Sequence, residues 1–368
     1  MKKLIWILVI LVVIGVFGGR AWWLYQHQET GNNVVKVGLL SFNSGMYADL
    51  GIALDNGAKL AVEEVNANSD NIKLHLSIED GKGFAKDAIN AFNKLDTNSV
   101  DVMIIAGENQ VPPVAPLIET RKIPTILTSV GTLSFQKNNK DKYMFLVNPS
   151  AQSTSAAMGK YAKNELKLNN YAILSVASVY GQESAAGFTQ GFNAQPLIWE
   201  KYKETDLNAR SQIAKILATN PEGVYVVGYG PGYTNALNQL KEQGYTGVIM
   251  SDYTISGQEA QENVKDKTDI FFAEADSRNN PARLNGFLKA FHAKYGKEAT
   301  THAKMGYDAI YVIAEALKNS SNVKEGLEKI NGLDTFFGKL TFNTDGSSNF
   351  PVIIKQMQAD GTAKIVKE

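Results

Sequence analysis

Residues 100–132, VDVMIIAGENQVPPVAPLIETRKIPTILTSVGT, constrain the fold of this chain more than any other stretch. An apolar, β-branched run at 100–106 is followed by a polar turn at 107–110. Then come a helix-like segment opened by Pro112 and Pro113 and a second β run at 123–128. Short, continuous apolar runs separated by helices are the mark of parallel strands buried on both faces. Parallel neighbours need a crossover, and both then deliver their following loops to the same edge of the sheet. Residues 107–110 and 129–132 are therefore expected side by side at the carboxyl ends of two strands, where open α/β sheets bind small ligands.

The same grammar runs through the chain. Strands are predicted at 34–41, 72–78 and 143–147, with helices at 52–66 and 84–95, and Asn148-Pro149-Ser150 then closes the unit in a turn. From Ala151 the pattern restarts, with helices at 151–168, 182–192, 209–218 and 233–243 alternating with strands at 171–177, 196–202, 223–228 and 247–250. Residues 223–250 repeat the strand, loop, helix and strand of 101–127 at nearly the same spacing. At 368 residues the chain exceeds what one core usually supports. The expected fold is α/β, with two doubly wound parallel-sheet lobes. A β run at 270–275, helices at 283–295, 301–318 and 323–330, and terminal strands at 339–342 and 350–357 must be shared between the lobes. The first lobe has fewer crossover helices, so the chain is expected to return to it near Glu274 and leave again near Asn343. The first lobe then comprises 34–148 with 275–343, the second 149–274 with 344–368, and three crossovers form a hinge.

Lys2 and Lys3 precede an uninterrupted apolar run at 4–17, which orients the N-terminus to the cytoplasm and exports the remainder. The run is shorter than a comfortable membrane span, which suits a signal-peptide core ending at Gly19-Arg20-Ala21. The cluster Trp22, Trp23 and Tyr25 resembles an interfacial belt and suits a retained anchor. Both readings place the domain outside the cytoplasm, and residues 26–33 read as a polar linker. Lys plus Arg and Asp plus Glu balance at 37 each, with no basic face for nucleic acid. The absence of cysteine excludes a thiolate metal site, a disulfide frame and a cysteine nucleophile.

A catalytic constellation is not found. His27, His75, His292 and His302 include no pair at helical metal-ligand spacing, and neither a nucleophile elbow nor a phosphate-binding GxxxxGK[ST] loop occurs. Residues 228–232, Gly-Tyr-Gly-Pro-Gly, follow a strand and open a helix with Asp252 about 20 residues on, as in a dinucleotide site. Yet Tyr233 stands where the third glycine belongs and Pro231 removes a backbone donor. No enzyme activity, cofactor or metal is expected. Asp252 also reads as a helix N-cap in the loop 251–256.

Over residues 34–364 the sequence resembles the type I periplasmic solute-binding proteins of ABC importers, in the branch that binds leucine, isoleucine, valine and related amides. The resemblance rests on VGLLSFNSGMYADLG, GAKLAVEEVNA, the 101–132 stretch, SVYGQESAAGFTQGF, GVYVVGYG, MGYDAIYVIAEAL and GKLTFNTDGSSNF, in that order and spacing. It implies a protein that closes its lobes on a small polar solute, an amino acid or amide, and delivers it to an importer permease. A membrane-tethered sensor with the same fold is the alternative. Carried over by position, the resemblance assigns the ligand's carboxylate to Asn109, the Val130 backbone and Thr132. It places covering aromatics at Tyr180 and Tyr229, and assigns the ligand's ammonium to Asp252 or, at the strict offset, Tyr253. Asn109 stands where relatives carry a serine, which changes the shape of the expected pocket.

Overall fold

The computed structural model describes residues 34–368 apart from Met46, Asp70, Ser277 and Asn279. The apolar run at 4–17 and the aromatic cluster after it lie outside the described residues. Among the described residues no helix is long and apolar enough to cross a membrane.

In chain order the first part comprises β1 (Val34–Ser41), α1 (Ala48–Asn68), β2 (Lys73–Asp80), α2 (Ala85–Thr97), β3 (Val102–Ala106), α3 (Val111–Arg121), β4 (Thr125–Thr128) and β5 (Met144–Leu146). The second comprises α4 (Ala151–Asn164), β6 (Tyr171–Val176), α5 (Val179–Phe192), β7 (Trp199–Tyr202), α6 (Arg210–Ala218), β8 (Gly223–Val227), α7 (Gly230–Glu242), β9 (Val248–Asp252), α8 (Gln258–Asn263) and β10 (Phe271–Ala275). The chain ends with α9 (Pro281–Tyr295), α10 (Thr301–Asn319), α11 (Val323–Glu328), β11 (Asn331–Thr335), β12 (Gly338–Phe342), β13 (Ser348–Asn349), β14 (Val352–Met357) and β15 (Ala363–Lys367).

Two main sheets result. The first is parallel throughout, in the order β2-β1-β3-β4-β5. Every residue of β3 and β4 is buried, which is why these strands read as unbroken apolar runs. Helices α2 and α3 cover one face. Helices α1, α9 and α10 cover the other, where Leu54, Ala58, Ile310 and Phe287 join Val37, Leu39 and Ile104 in one core. The second sheet has the order β15-β14-β10-β9-β8-β6-β7, in which β14 alone runs antiparallel to its neighbours β10 and β15. Register sorts its side chains: Tyr225 pairs with Met250, so both lie on one face and Ser251 on the other. Accordingly Tyr225 reaches Ser155 of α4 at 2.7 Å, and Ser251 reaches Tyr233 of α7 at 2.6 Å. Asp252 follows on the Tyr225 face, toward α5.

The chain passes from the first sheet to the second between β5 and α4 and returns between β10 and α9. The last passage falls between β13 and β14, later than the Asn343 expected from sequence. The turn after β12 makes a hairpin, β13 pairs back onto β12, and the Leu146 N–H donates to the Gly346 carbonyl at 2.8 Å. Residues 344–349 therefore stay against the first sheet. The small sheet β11-β12-β13 was not anticipated, because β11 (NGLDT) lacks the alternation that marks a half-buried strand.

Candidate functional site

The carboxyl ends of the two parallel sheets face each other. From the first sheet come the loops after β1, β3 and β4; from the second come the residues following β6, β8 and β9. Close packing joins the two edges. A Cβ on Gly131 would meet the Tyr180 ring at 2.8 Å, and one on Gly230 would meet the Tyr47 hydroxyl at the same distance. Only glycine permits either approach. Tyr229 stands between, with ring centroids 6.4 Å from Tyr47 and 5.8 Å from Tyr180. The Leu133 N–H donates to Glu183 of α5 at 2.7 Å, and the Ala151 N–H donates to the Gly131 carbonyl at 2.6 Å.

On the first-sheet side the chain leaves β3 through Gly107 (φ 91°) into a single 3-10 turn, Glu108–Gln110. Gln110 turns inward and donates to the Ser41 carbonyl at 3.1 Å, locking this turn to β1. Glu108 reaches the loop after β4, where one carboxylate oxygen accepts from the Gly131 N–H at 2.8 Å and the other from the Thr132 hydroxyl. Ser129, at φ 53°, gives that loop its bend, and its N–H donates to the Asn148 side chain at 2.7 Å. Val130 then points into the core with Leu127 and Phe135. Burial pushes the Glu108 carboxyl up, against the pull of its two donors.

On the second-sheet side Ser178 caps α5 by accepting from the Gly181 N–H at 3.3 Å, and so places Tyr180 in the first turn of the helix. The Tyr180 hydroxyl donates to Asp252 at 2.5 Å. The other Asp252 oxygen accepts from the Thr254 N–H at 3.0 Å, capping the short turn Tyr253–Ser256. Asp252 is only 2 % exposed, and burial raises its carboxyl to about 6. Burial, and then the Asp252 charge, push the Tyr180 hydroxyl well above the usual tyrosine range.

The structure thus brings together five of the seven residues singled out in the sequence. Thr132, Tyr180, Tyr229 and Asp252 are linked by the contacts above, and Val130 supports their loop from beneath. Asp252 caps the turn through one oxygen and accepts from Tyr180 through the other. Tyr253 remains 38 % exposed. Asn109 is exposed as well, and the residue that engages Thr132 is its neighbour Glu108. Matching by motif position missed Glu108. A lone carboxylate opening a polar turn directly after a fully buried strand was the signal available. Tyr47, whose buried hydroxyl lacks a hydrogen-bond partner among the described residues, was missed too. Tyr233 is an ordinary core tyrosine bonded to Ser251, so the glycine-rich loop before it serves close packing against Tyr47.

Comparison with known proteins gives one consistent picture. Residues 34–362 match the family model described as periplasmic binding protein. The Leucine-specific-binding protein of Salmonella typhimurium is 22 % identical over 351 residues, covering 90 % of this chain and 93 % of that protein. Among solved structures, the substrate-binding protein LivJ of Streptococcus pneumoniae, in complex with isoleucine, superposes with a TM-score of 0.78. It is 22 % identical, with 91 % of this chain and all of that chain covered. A solute-binding protein of R. palustris in complex with benzoate superposes with a TM-score of 0.77 at 18 % identity, covering 91 % and 96 %. These similarities include solute-binding proteins with chemically different ligands on one α/β architecture.

Proposed function

Because the chain belongs to the periplasmic binding protein family, we propose that its two lobes close on a small polar solute and present it to the permease of an ABC importer. Membership in this family implies an extracytoplasmic location. The observation that carries the reading is the pair of glycine contacts across the cleft, Gly131 with Tyr180 and Gly230 with Tyr47. They seat aromatic rings of one lobe against backbone of the other, with buried carboxylates beside them. Three passages of chain between the sheets supply a hinge, and hinge closure around a ligand is the motion such a connection permits. We assign Thr132, Tyr180, Tyr229 and Asp252 to the solute site and add Glu108 and Tyr47. Val130 supports the site, and Asn109 and Tyr253 stand at its rim.

Isothermal titration of the purified chain against amino acids, amides, amines and aromatic acids tests the reading. A saturable heat with a ligand-dependent decrease in radius of gyration by X-ray scattering is expected. Absence of any binder across these classes would overturn it. The aromatic cluster Trp22, Trp23 and Tyr25 favours a retained N-terminal anchor, and with it the second reading as a membrane-tethered ligand sensor. Fractionation of cells between membrane and soluble material distinguishes tethered from released protein.

A further inference from the structure

The donors at the head of the cleft are already engaged by the chain itself. The Gly131 N–H and the Thr132 hydroxyl, the groups placed to receive an anion at the carboxyl end of β4, both donate to the Glu108 carboxylate. A solute carboxylate brought to this point would meet the half-buried Glu108 carboxylate instead of free donors. Across the cleft Asp252 presents a second carboxylate, this one fully buried, with Tyr180 bridging the two: its hydroxyl bonds Asp252 and its ring packs on Gly131, whose N–H holds Glu108. Glu204, partly buried, and Glu259, at the surface, add negative charge close to Tyr47. Among the described residues, none of these four acids has an ion pair with a lysine, arginine or histidine. Several acids elsewhere in the molecule are paired, even at the surface.

Carboxylates removed from water and left without a counter-charge raise the energy of the site until a cation arrives. Each carboxylate also keeps acceptor capacity, since two oxygens offer about four lone-pair positions and three donors, from Gly131 and Thr132 or from Tyr180 and Thr254, engage them. The rings of Tyr180, Tyr229 and Tyr47 form the adjoining wall, with Tyr229 packed against both of the others. Aromatic faces beside carboxylates suit a positively charged nitrogen, held electrostatically by both.

Resting on the cleft reading above, we propose that the solute is an organic cation without a carboxylate group: an amine, amidine or quaternary ammonium whose charged nitrogen sits between Glu108 and Asp252 against the tyrosine rings. Glu108 thereby acts as the specificity residue, turning anion-binding backbone into a cation site.

The test is titration calorimetry of the full chain against three panels: ethanolamine, putrescine, agmatine and choline; leucine, isoleucine and valine; benzoate and acetamide. A member of the amine panel is expected to bind, with no heat from the other two panels. Glu108→Gln and Asp252→Asn, which keep shape and hydrogen bonding, are each expected to weaken that amine roughly 100-fold, the scale for removing one partner of a buried charge pair. Glu108→Ser is expected to free the Gly131 and Thr132 donors and gain weak leucine or benzoate binding. Binding of leucine or benzoate by the unsubstituted chain, with none of the amines, would overturn the cation assignment and leave the cleft reading intact. Unchanged amine affinity in Glu108→Gln, with the same far-ultraviolet dichroism, would overturn the role of Glu108. No binding in any panel would overturn the cleft reading and the cation assignment together.

Discussion

Two buried aspartates occupy opposite situations in this molecule. Asp308, in the middle of α10, accepts from Arg283 at 2.7 Å and from the Phe336 N–H at 2.7 Å. The guanidinium is packed over the rings of Tyr311 and Phe336 at 4.1 and 4.3 Å. Asp252, equally buried, meets the Tyr180 hydroxyl and the backbone N–H and side chain of Thr254, and no cationic side chain among the described residues. The first charge is neutralised within the fold and ties α9, α10 and the β11–β12 hairpin together. On the proposal above, the second is left for the ligand. Burial raises both carboxyls, and at Asp308 the Arg283 charge opposes the rise. The contrast separates a charge that holds the fold from one that stability alone does not explain.

Removing each charge in turn is the sharpest way to break the comparison. Asp308→Ala leaves Arg283 buried without its partner and is expected to cost about 3–5 kcal/mol in urea unfolding. A loss below 1 kcal/mol would show that Arg283 finds water instead. Asp252→Asn is expected to act with the opposite sign, stabilising the ligand-free chain by about 1–2 kcal/mol at pH 7, because the amide oxygen still accepts from the Thr254 N–H and the amide NH2 can donate to the Tyr180 hydroxyl oxygen, without a buried charge. The sign follows from proton binding. The folded-state carboxyl, at about 6, holds its proton where the unfolded one has released it. Stability therefore falls as pH rises from about 4 through 6, and the gain from asparagine shrinks toward zero near pH 4. Melting curves from pH 4 to 8 check this, and a pH-independent gain would exclude titration of Asp252 as its cause.

Two smaller effects sharpen the contrast between cleft and surface. Glu183→Ala removes the carboxylate that accepts the Leu133 N–H across the cleft. It is expected to cost about 1 kcal/mol, read as weaker ligand affinity and a larger mean radius by scattering. Lys324→Ala removes an exposed pair with Glu328, one helical turn away. It is expected to change unfolding free energy by less than about 0.5 kcal/mol.

Much of this architecture was legible because burial on both faces leaves a trace in composition. β1 was read at its observed bounds, and β3, β4, β6 and β8 appeared as unbroken apolar runs because each is fully or mostly buried. Helix starts were harder. The sequence reading began α5 at Gln182, whereas the Ser178 cap starts it at Val179 and puts Tyr180 inside the helix. Part of the candidate site was legible too: Thr132, Tyr180, Tyr229 and Asp252 stand together where the strand ends meet. Glu108 was not, because a 3-10 turn rotates successive side chains by about 120°, and one residue decides which of Glu108 and Asn109 faces the sheet edge. The late passage of the chain between β13 and β14 escaped for a similar reason, since β13 is two residues long and exists only through its pairing with β12.

The sequence by itself determined that this chain builds two parallel sheets with helices on both faces, and that the loops after residues 106 and 128 share an edge. Apolar period and crossover length are local properties, and they suffice for that. Only the tertiary structure decided which charges meet. That Arg283 neutralises Asp308 from 25 positions away, and that Asp252 receives no cation among the described residues, depends on how helices and loops distant in sequence pack. Desolvation then sets the consequence, because the same carboxyl group holds a fold together when its counter-charge is built in and stands open to a ligand when it is not.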